Sequence, residues 1–247
     1  GGFGLAGADA NDIGRAIASG MAFPVEDDFA SLGMMITAPR LQTYGTGRWM
    51  FEQLIASVPN RALRLNATRA GYKIYEGAGF IPVGTVYQHQ GYVRAIRPPS
   101  PAEGVTVRPM LAADHTAIRA LDQTAFGARR PRTLDLLLAT ISAGVVAERD
   151  GHVCGYALRR PFGRGDQVGP VVADSDRMAM QLSAALIEDQ EGQFLRFDLP
   201  EGLGDFSPFL AAANLGVHDT VTEMYFVEQR RPLSGTRLFG LSCQALG

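Results

Sequence analysis

The pattern best suited to chemistry is Gln42-Thr43-Tyr44-Gly45-Thr46-Gly47-Arg48, which follows an apolar run ending in Met35-Ile36-Thr37 and opens directly into a helical stretch, Arg48 to Val58. At such a strand–turn–helix junction the first helical N–H groups lack intrahelical partners, and the helix dipole adds partial positive charge. Gly45 and Gly47 have no Cβ, so an oxygen of a phosphate or pyrophosphate can approach the backbone closely. Other phosphate loops do not fit. The chain has no Gly-Lys-Ser/Thr, as a Walker loop requires, and the third glycine position of a dinucleotide fingerprint is Met50.

A second pattern lies downstream. Leu63-Arg64-Leu65-Asn66-Ala67 alternates like a strand, Thr68 precedes a helix containing Gly71, Ile74 and Tyr75, and that helix stops at Gly77-Ala78-Gly79-Phe80. Gly79 reads as the helix C-cap, and Phe80 as a residue packed beneath the sheet. Taken together, Gln42-x-x-Gly45-x-Gly47, with Pro39 three residues before the glutamine, and Ile74-Tyr75-Glu76-Gly77-Ala78-Gly79-Phe80 resemble two motifs of the GNAT superfamily of N-acetyltransferases: the acetyl-CoA signature and the Leu/Ile-Tyr-x-x-x-Gly-Phe helix end. The resemblance covers residues 3 to 90, with Thr68 standing where the family often has asparagine.

The resemblance implies an α/β (α+β) fold, a mixed, mostly antiparallel twisted sheet flanked by helices. It implies acetyl-CoA as co-substrate, no metal, and direct transfer of the acetyl group to a primary amine, the acceptor being a small molecule. Backbone groups around Ile36 and Thr37 would meet the pantetheine and the thioester oxygen, an oxyanion-hole role. Backbone N–H groups of Thr43, Tyr44, Gly45, Thr46, Gly47 and Arg48, behind Gln42, would hold the pyrophosphate. Tyr75 matches the family's tyrosine near the coenzyme sulfur and is the candidate general acid for the leaving thiolate. Asn66 either helps to bind the coenzyme or caps the helix that follows. The general base is harder to place, because no acidic residue lies on the strand before the glycine turn. Asp28 is the candidate, from the group Glu26, Asp27 and Asp28, although such a cluster is ordinarily a solvated hairpin; His89 and Glu223 are weaker alternatives. A non-catalytic acyl-CoA-binding or regulatory module, and a protein–protein scaffold, stay open beside the enzyme.

Composition bounds these readings. A chain of 247 residues has room for one large domain or two modest ones. Apolar residues make up 46% and charged residues 19%, enough for a real core. A net charge of −2 argues against a nucleic-acid-binding surface. Cys154 and Cys243 provide no disulfide framework, and the four histidines lack metal-site spacing. No apolar run approaches the about 20 residues of a membrane span, and no signal peptide is legible, so a cytoplasmic location is expected. Self-association into a homodimer stays open.

The elements divide at Arg97-Pro98-Pro99-Ser100-Pro101, which holds neither helix nor central strand. Residues 1–97 form the expected GNAT domain carrying the signature, 98–102 a proline-rich linker, and 103–247 a degenerate GNAT-like domain with a tail. Before the linker, strands are expected at Gly2–Ala8, Ile13–Phe23, Phe29–Thr37, Ala62–Asn66 and Val83–His89. Helices are expected at Arg48–Val58, burying Trp49, Met50, Leu54, Ile55 and Val58, and at Arg69–Ala78. After it come strand Val105–Pro109, helices Ala113–Phe126 and Leu134–Ser142, strands Val145–Arg149, His152–Arg159 and Gln167–Val172, helix Asp176–Asp189, strand Gln193–Leu199, helix Phe206–Ala213 and strand Asp219–Val227. That order is the full order of the superfamily. The first half instead lacks the family's leading strand and helices, which often wall the acceptor cleft; either the natural start is missing or another segment substitutes. The second half has Asp174, Ser175 and Asp176 where the first has its glycine turn, so it is not expected to bind the coenzyme.

Overall fold

In a computed structural model, residues 3–8 (backbone), 16–26, 29–200, 204–227 and 235–247 are described. The order is β1 (Phe3–Ala8), β2 (Ala16–Val25), β3 (Phe29–Thr37), α1 (Thr46–Ala56), β4 (Ala62–Ala67), α2 (Tyr72–Gly77), β5 (Ile81–Tyr92) and β6 (Val105–Pro109). There follow α3 (His115–Phe126), α4 (Pro131–Ala139), β7 (Ala143–Arg149), β8 (His152–Pro161), β9 (Asp166–Ala173) and α5 (Asp176–Ile187). The last elements are β10 (Phe194–Pro200), α6 (Phe206–Ala212), β11 (Gly216–Phe226) and β12 (Arg237–Gly240). Among the described residues no helix is long and apolar enough to cross a membrane.

The chain forms two compact units. One comprises the described parts of residues 1–84, 222–229 and 244–246; the other, those of 85–221 and 230–243, together with Gly247. Residues 93–102, including the proline-rich segment, carry no helix or strand.

In the first unit β1, β2 and β3 form an antiparallel meander, β3 runs parallel to β4, and β4 pairs antiparallel with the Thr222–Phe226 part of β11. Alternate residues of β2, among them Ala18, Gly20 and Ala22, are buried, the period-two pattern of a half-covered strand. Helix α1 covers the sheet with Met50, Phe51 and Leu54, which pack with Ala30, Leu32, Leu65, Tyr75 and Phe80. Trp49 departs from expectation: it lies on the solvent side of α1 and is 45% exposed, while Phe51, two residues on and about 200° around the helix, takes the core position. Helix α2 is shorter than expected, because the N–H groups of Gly71 and Tyr72 both bond to the carbonyl of Thr68 and make a turn of residues 68–71. Gly79, just past the helix, is left-handed at φ 92°, a conformation that favours glycine, and Phe80 is buried as expected.

In the second unit β6, β7, β8 and β9 are antiparallel, β9 is parallel to β10, and β10 pairs antiparallel with Val86–Tyr92 of β5. Asp150 and Gly151 are both left-handed, which suits the tight β7–β8 hairpin expected there. Helix α5 lays Met178, Ala179, Leu182 and Leu186 on the sheet, and Ser175 caps it by accepting the Met178 N–H. A buried Arg130–Asp122 pair, bonded through Nε and Nη2 at 2.8 Å each, also takes the Tyr156 hydroxyl and reaches the Gly247 carbonyl at 2.9 Å. Removing either partner would strand a buried charge.

Candidate functional site

The site begins where two parallel strands part. β3 and β4 pair from Phe29↔Ala62 to Leu32↔Leu65 and no further. Beyond that rung β3 continues through Gly33–Thr37 against β2 alone, with a bulge at which Met34 takes a φ of 54°. Met34 and Ile36 are more than half exposed. The backbone of this stretch, including the predicted Ile36 and Thr37, thus lines an opening in the sheet.

The opening leads into the glycine turn. Pro39–Leu41 make a short 3-10 turn, the Gln42 amide donates to the Thr37 carbonyl at 3.3 Å, and Thr43 is left-handed at φ 74°. Gly45 is the N-cap of α1 with φ 82°, and no side chain caps the helix. The first helical bond runs from the Trp49 N–H to the Gly45 carbonyl at 2.9 Å. The two glycines act differently. A Cβ at Gly45 would meet nothing within 4 Å, so the space before the helix is open; one at Gly47 would touch Thr37 Oγ1 at 3.4 Å and Ile74 Cδ1 at 3.5 Å. Tyr44 is 80% exposed, and Arg48 makes a solvent-facing ion pair with Glu52.

Tyr75 sits on α2 with its ring edge-on to Phe51 at 4.8 Å between centroids and tilted to Phe80 at 6.4 Å. Its ring also covers Gly71, where a Cβ would come within 2.8 Å of it. Burial pushes the phenol pKa up, so it keeps its proton at neutral pH. Asn66 does not cap the following helix: its amide donates to the Gln244 carbonyl at 2.7 Å.

The base candidates scatter. Asp27 and Asp28 lie outside the described residues, and Glu26 is an exposed turn residue whose carbonyl accepts from Arg61. His89 belongs to the second unit, where it is buried, with Nδ1 at 2.9 Å from the Leu215 carbonyl and Nε2 at 3.2 Å from Ser207 Oγ. Burial lowers its pKa and holds it neutral, the state of a satisfied core histidine. Glu223 stands opposite Asn66 on β11 and accepts the Tyr225 hydroxyl at 3.0 Å. Sequence reasoning missed Gly33 and Ala245, which meet at the start of the opening; one is a featureless strand glycine and the other lies in a tail with no local signal.

The second unit repeats the parting of strands with a different outcome. β9 and β10 pair only at Asp166↔Leu195 and Gln167↔Arg196. Into the gap comes β12, pairing antiparallel with β9 through Arg237↔Ala173, Leu238↔Val172 and Gly240↔Val171, while the Leu241 N–H bonds to the Asp198 carbonyl of β10 at 2.8 Å. The start of α5 is likewise engaged. Asp174 pairs with Arg149 at 2.9 Å, and Asp176 pairs with Arg237 and accepts the Asp205 N–H.

Residues 118–240 match the family described as the acetyltransferase (GNAT) domain. The chain is 28% identical over 220 residues to the uncharacterized N-acetyltransferase YitH of Bacillus subtilis (strain 168), covering 88% of this chain and 76% of that protein. Its fold is similar to that of a putative acetyltransferase from Pyrococcus horikoshii, with a TM-score of 0.73 at 20% identity over 94% of this chain and 76% of that one. It is also similar in fold to a tandem GNAT protein from the clavulanic acid biosynthesis pathway, with a TM-score of 0.57 at 12% identity over 86% and 79% of the two chains.

Proposed function

We propose that this chain is an acyltransferase of the GNAT type, as its similarity to that family and to YitH supports, that it transfers an acetyl group from acetyl-CoA to a primary amine of a small molecule, and that its first unit holds the coenzyme. The observation that carries the reading is the parted β3/β4 pair leading into a left-handed glycine at a helix start, with open space before it. A pyrophosphate fits there: the leading N–H groups of α1 supply donors, and Gly45 leaves the room that a side chain would take. The backbone of Gly33–Thr37, released from β4, supplies groups to a pantetheine arm. Bound acetyl-CoA supplies an activated thioester carbon. Tyr75, kept protonated by its apolar surroundings, is the proton donor to the departing sulfur. The stretch that matches the acetyltransferase family, residues 118–240, falls mostly in the second unit; because β12 fills the gap between β9 and β10 there and the carboxylates at the start of α5 are engaged, we read this unit as GNAT-like in fold but not coenzyme-binding.

The test is a calorimetric titration of the wild-type chain and Gly45→Glu with acetyl-CoA. The side chain of the variant adds backbone strain at φ 82° and a carboxylate facing the pyrophosphate, so affinity should fall by about 100-fold or more. Binding at one site per chain, lost in the variant, supports the proposal. Undiminished affinity in Gly45→Glu removes it, and a second equivalent site would return the coenzyme role to both units.

A further inference from the structure

We infer that Gln244 and Ala245 form the closed end of the acyl site and restrict it to short acyl groups. The inference deepens the proposed function and rests on its placement of the coenzyme. The last paired rung of β3 and β4 is Leu32↔Leu65, and both residues pack with Phe51 and Leu54 on the α1 side of the sheet. The next residues along, Gly33 and Asn66, therefore point to the opposite face. There Asn66 Nδ2 donates to the Gln244 carbonyl at 2.7 Å, and a Cβ on Gly33 would sit 2.8 Å from Ala245 Cβ and 3.1 Å from its Cα. All these residues belong to the same unit. Residues 244 and 245 thus cross the vertex of the opening, held to one strand by a hydrogen bond and to the other by contact with a glycine.

Their place in the opening sets their role. With phosphates at the Gln42–Gly47 turn, an extended arm running back along β3 from Thr37 toward Gly33 travels about 13 Å and brings its acyl end to the vertex. The wall it meets there is the Ala245 methyl and the backbone of Gln244. An acetyl group ends short of such a wall, and a longer chain runs into it. Gly33 has no side chain with which to retreat, so the wall is set by residue 245.

Calorimetric titrations with coenzyme A, acetyl-CoA and hexanoyl-CoA test this. The wild type should bind acetyl-CoA at least about tenfold more tightly than hexanoyl-CoA, the size of an overpacking penalty. Ala245→Phe should weaken acetyl-CoA by about tenfold or more while leaving coenzyme A unchanged, because only the acyl end meets the new ring. Ala245→Gly should narrow the gap between acetyl- and hexanoyl-CoA. Equal wild-type affinities for the two thioesters overturn the inference even if Ala245→Phe does not fold. So does a folded Ala245→Phe that loses coenzyme A and acetyl-CoA alike, or neither. A wild type that binds no coenzyme A sinks the proposed function itself, a result distinct from all of these.

Discussion

The openings in the two units start from the same event and end differently. In each, a parallel strand pair stops after a few rungs, at Leu32↔Leu65 in one and Gln167↔Arg196 in the other. Between β9 and β10 the chain inserts β12, whose Leu238 and Phe239 are buried, and the backbone groups freed by the parting find partners again. Between β3 and β4 only the vertex is crossed among the described residues, by Gln244 and Ala245, and from Met34 to Thr37 no strand pairs with β3 on its β4 side. The helix starts follow suit: Gly45 is bare, whereas Asp174, Ser175 and Asp176 are each engaged. A break in a sheet is therefore neutral until the chain either fills it or leaves it. Filled, it is core; left, it is a strand edge without a partner strand, which a ligand can use.

The comparison breaks most readily at Phe239. This side chain is fully buried and meets Phe206 edge-on at 6.1 Å. If β12 is a permanent part of the second unit, Phe239→Ala should cost about 3–5 kcal/mol in a urea melt, the usual cost of emptying a buried aromatic site. A loss below about 1 kcal/mol would mean that β12 is loosely held and that this opening is also available to a ligand. Next in size is Tyr75, since no tyrosine precedes Leu215-Gly216 in the second half. Tyr75→Phe should lower turnover by about 100-fold, with the amine that the wild type uses best, and change acetyl-CoA affinity far less. An equal loss in both would assign the hydroxyl to binding or packing instead.

The smallest expected effect separates the units by pH. All four histidines, at 89, 115, 152 and 218, fall in the second unit, and burial lowers the pKa of His89. The unfolded chain takes up this proton more readily than the folded one. His89 thus contributes stability in full above its ordinary value of 6.5, and loses it as pH falls toward the lowered folded value. Urea midpoints at about pH 7.5 and about pH 5.5 should show a loss in the wild type that is reduced in His89→Gln. An unchanged loss would place the acid sensitivity elsewhere.

Much of this was legible in residues 35–80. The glycine turn announced itself because a left-handed N-cap requires glycine, and the strand, helix and helix stop around it carry strong local signals in Gly45, Gly79 and the apolar periodicity. Phe29–Thr37 and Val105–Pro109 came out with the bounds expected of them. Trp49 was misplaced because periodicity defines a stripe about 100° wide but not which flank the sheet covers. The role of β12 was not legible at all. Arg237–Gly240 is four residues long, and what makes it a strand is an unpaired edge of β9 supplied by the rest of the unit. Gln244 and Ala245 were missed for the same reason, since a backbone carbonyl and a methyl group become specific only when Asn66 and Gly33 are brought to them.

One feature of the strand order bears on how the molecule is made. β4 is completed by Thr222–Phe226, and β10 by Val86–Tyr92, so each unit closes its sheet with chain from the far side of the proline-rich segment. On the ribosome, the first unit cannot finish its sheet until Phe226 has emerged. Until then β4 presents an unpaired edge, the kind of surface that binds a neighbouring nascent chain. The long loop closures also make for slow folding. Cutting the gene at 98–102 would therefore yield two fragments, each lacking a strand, which would have to be produced together to recover either one.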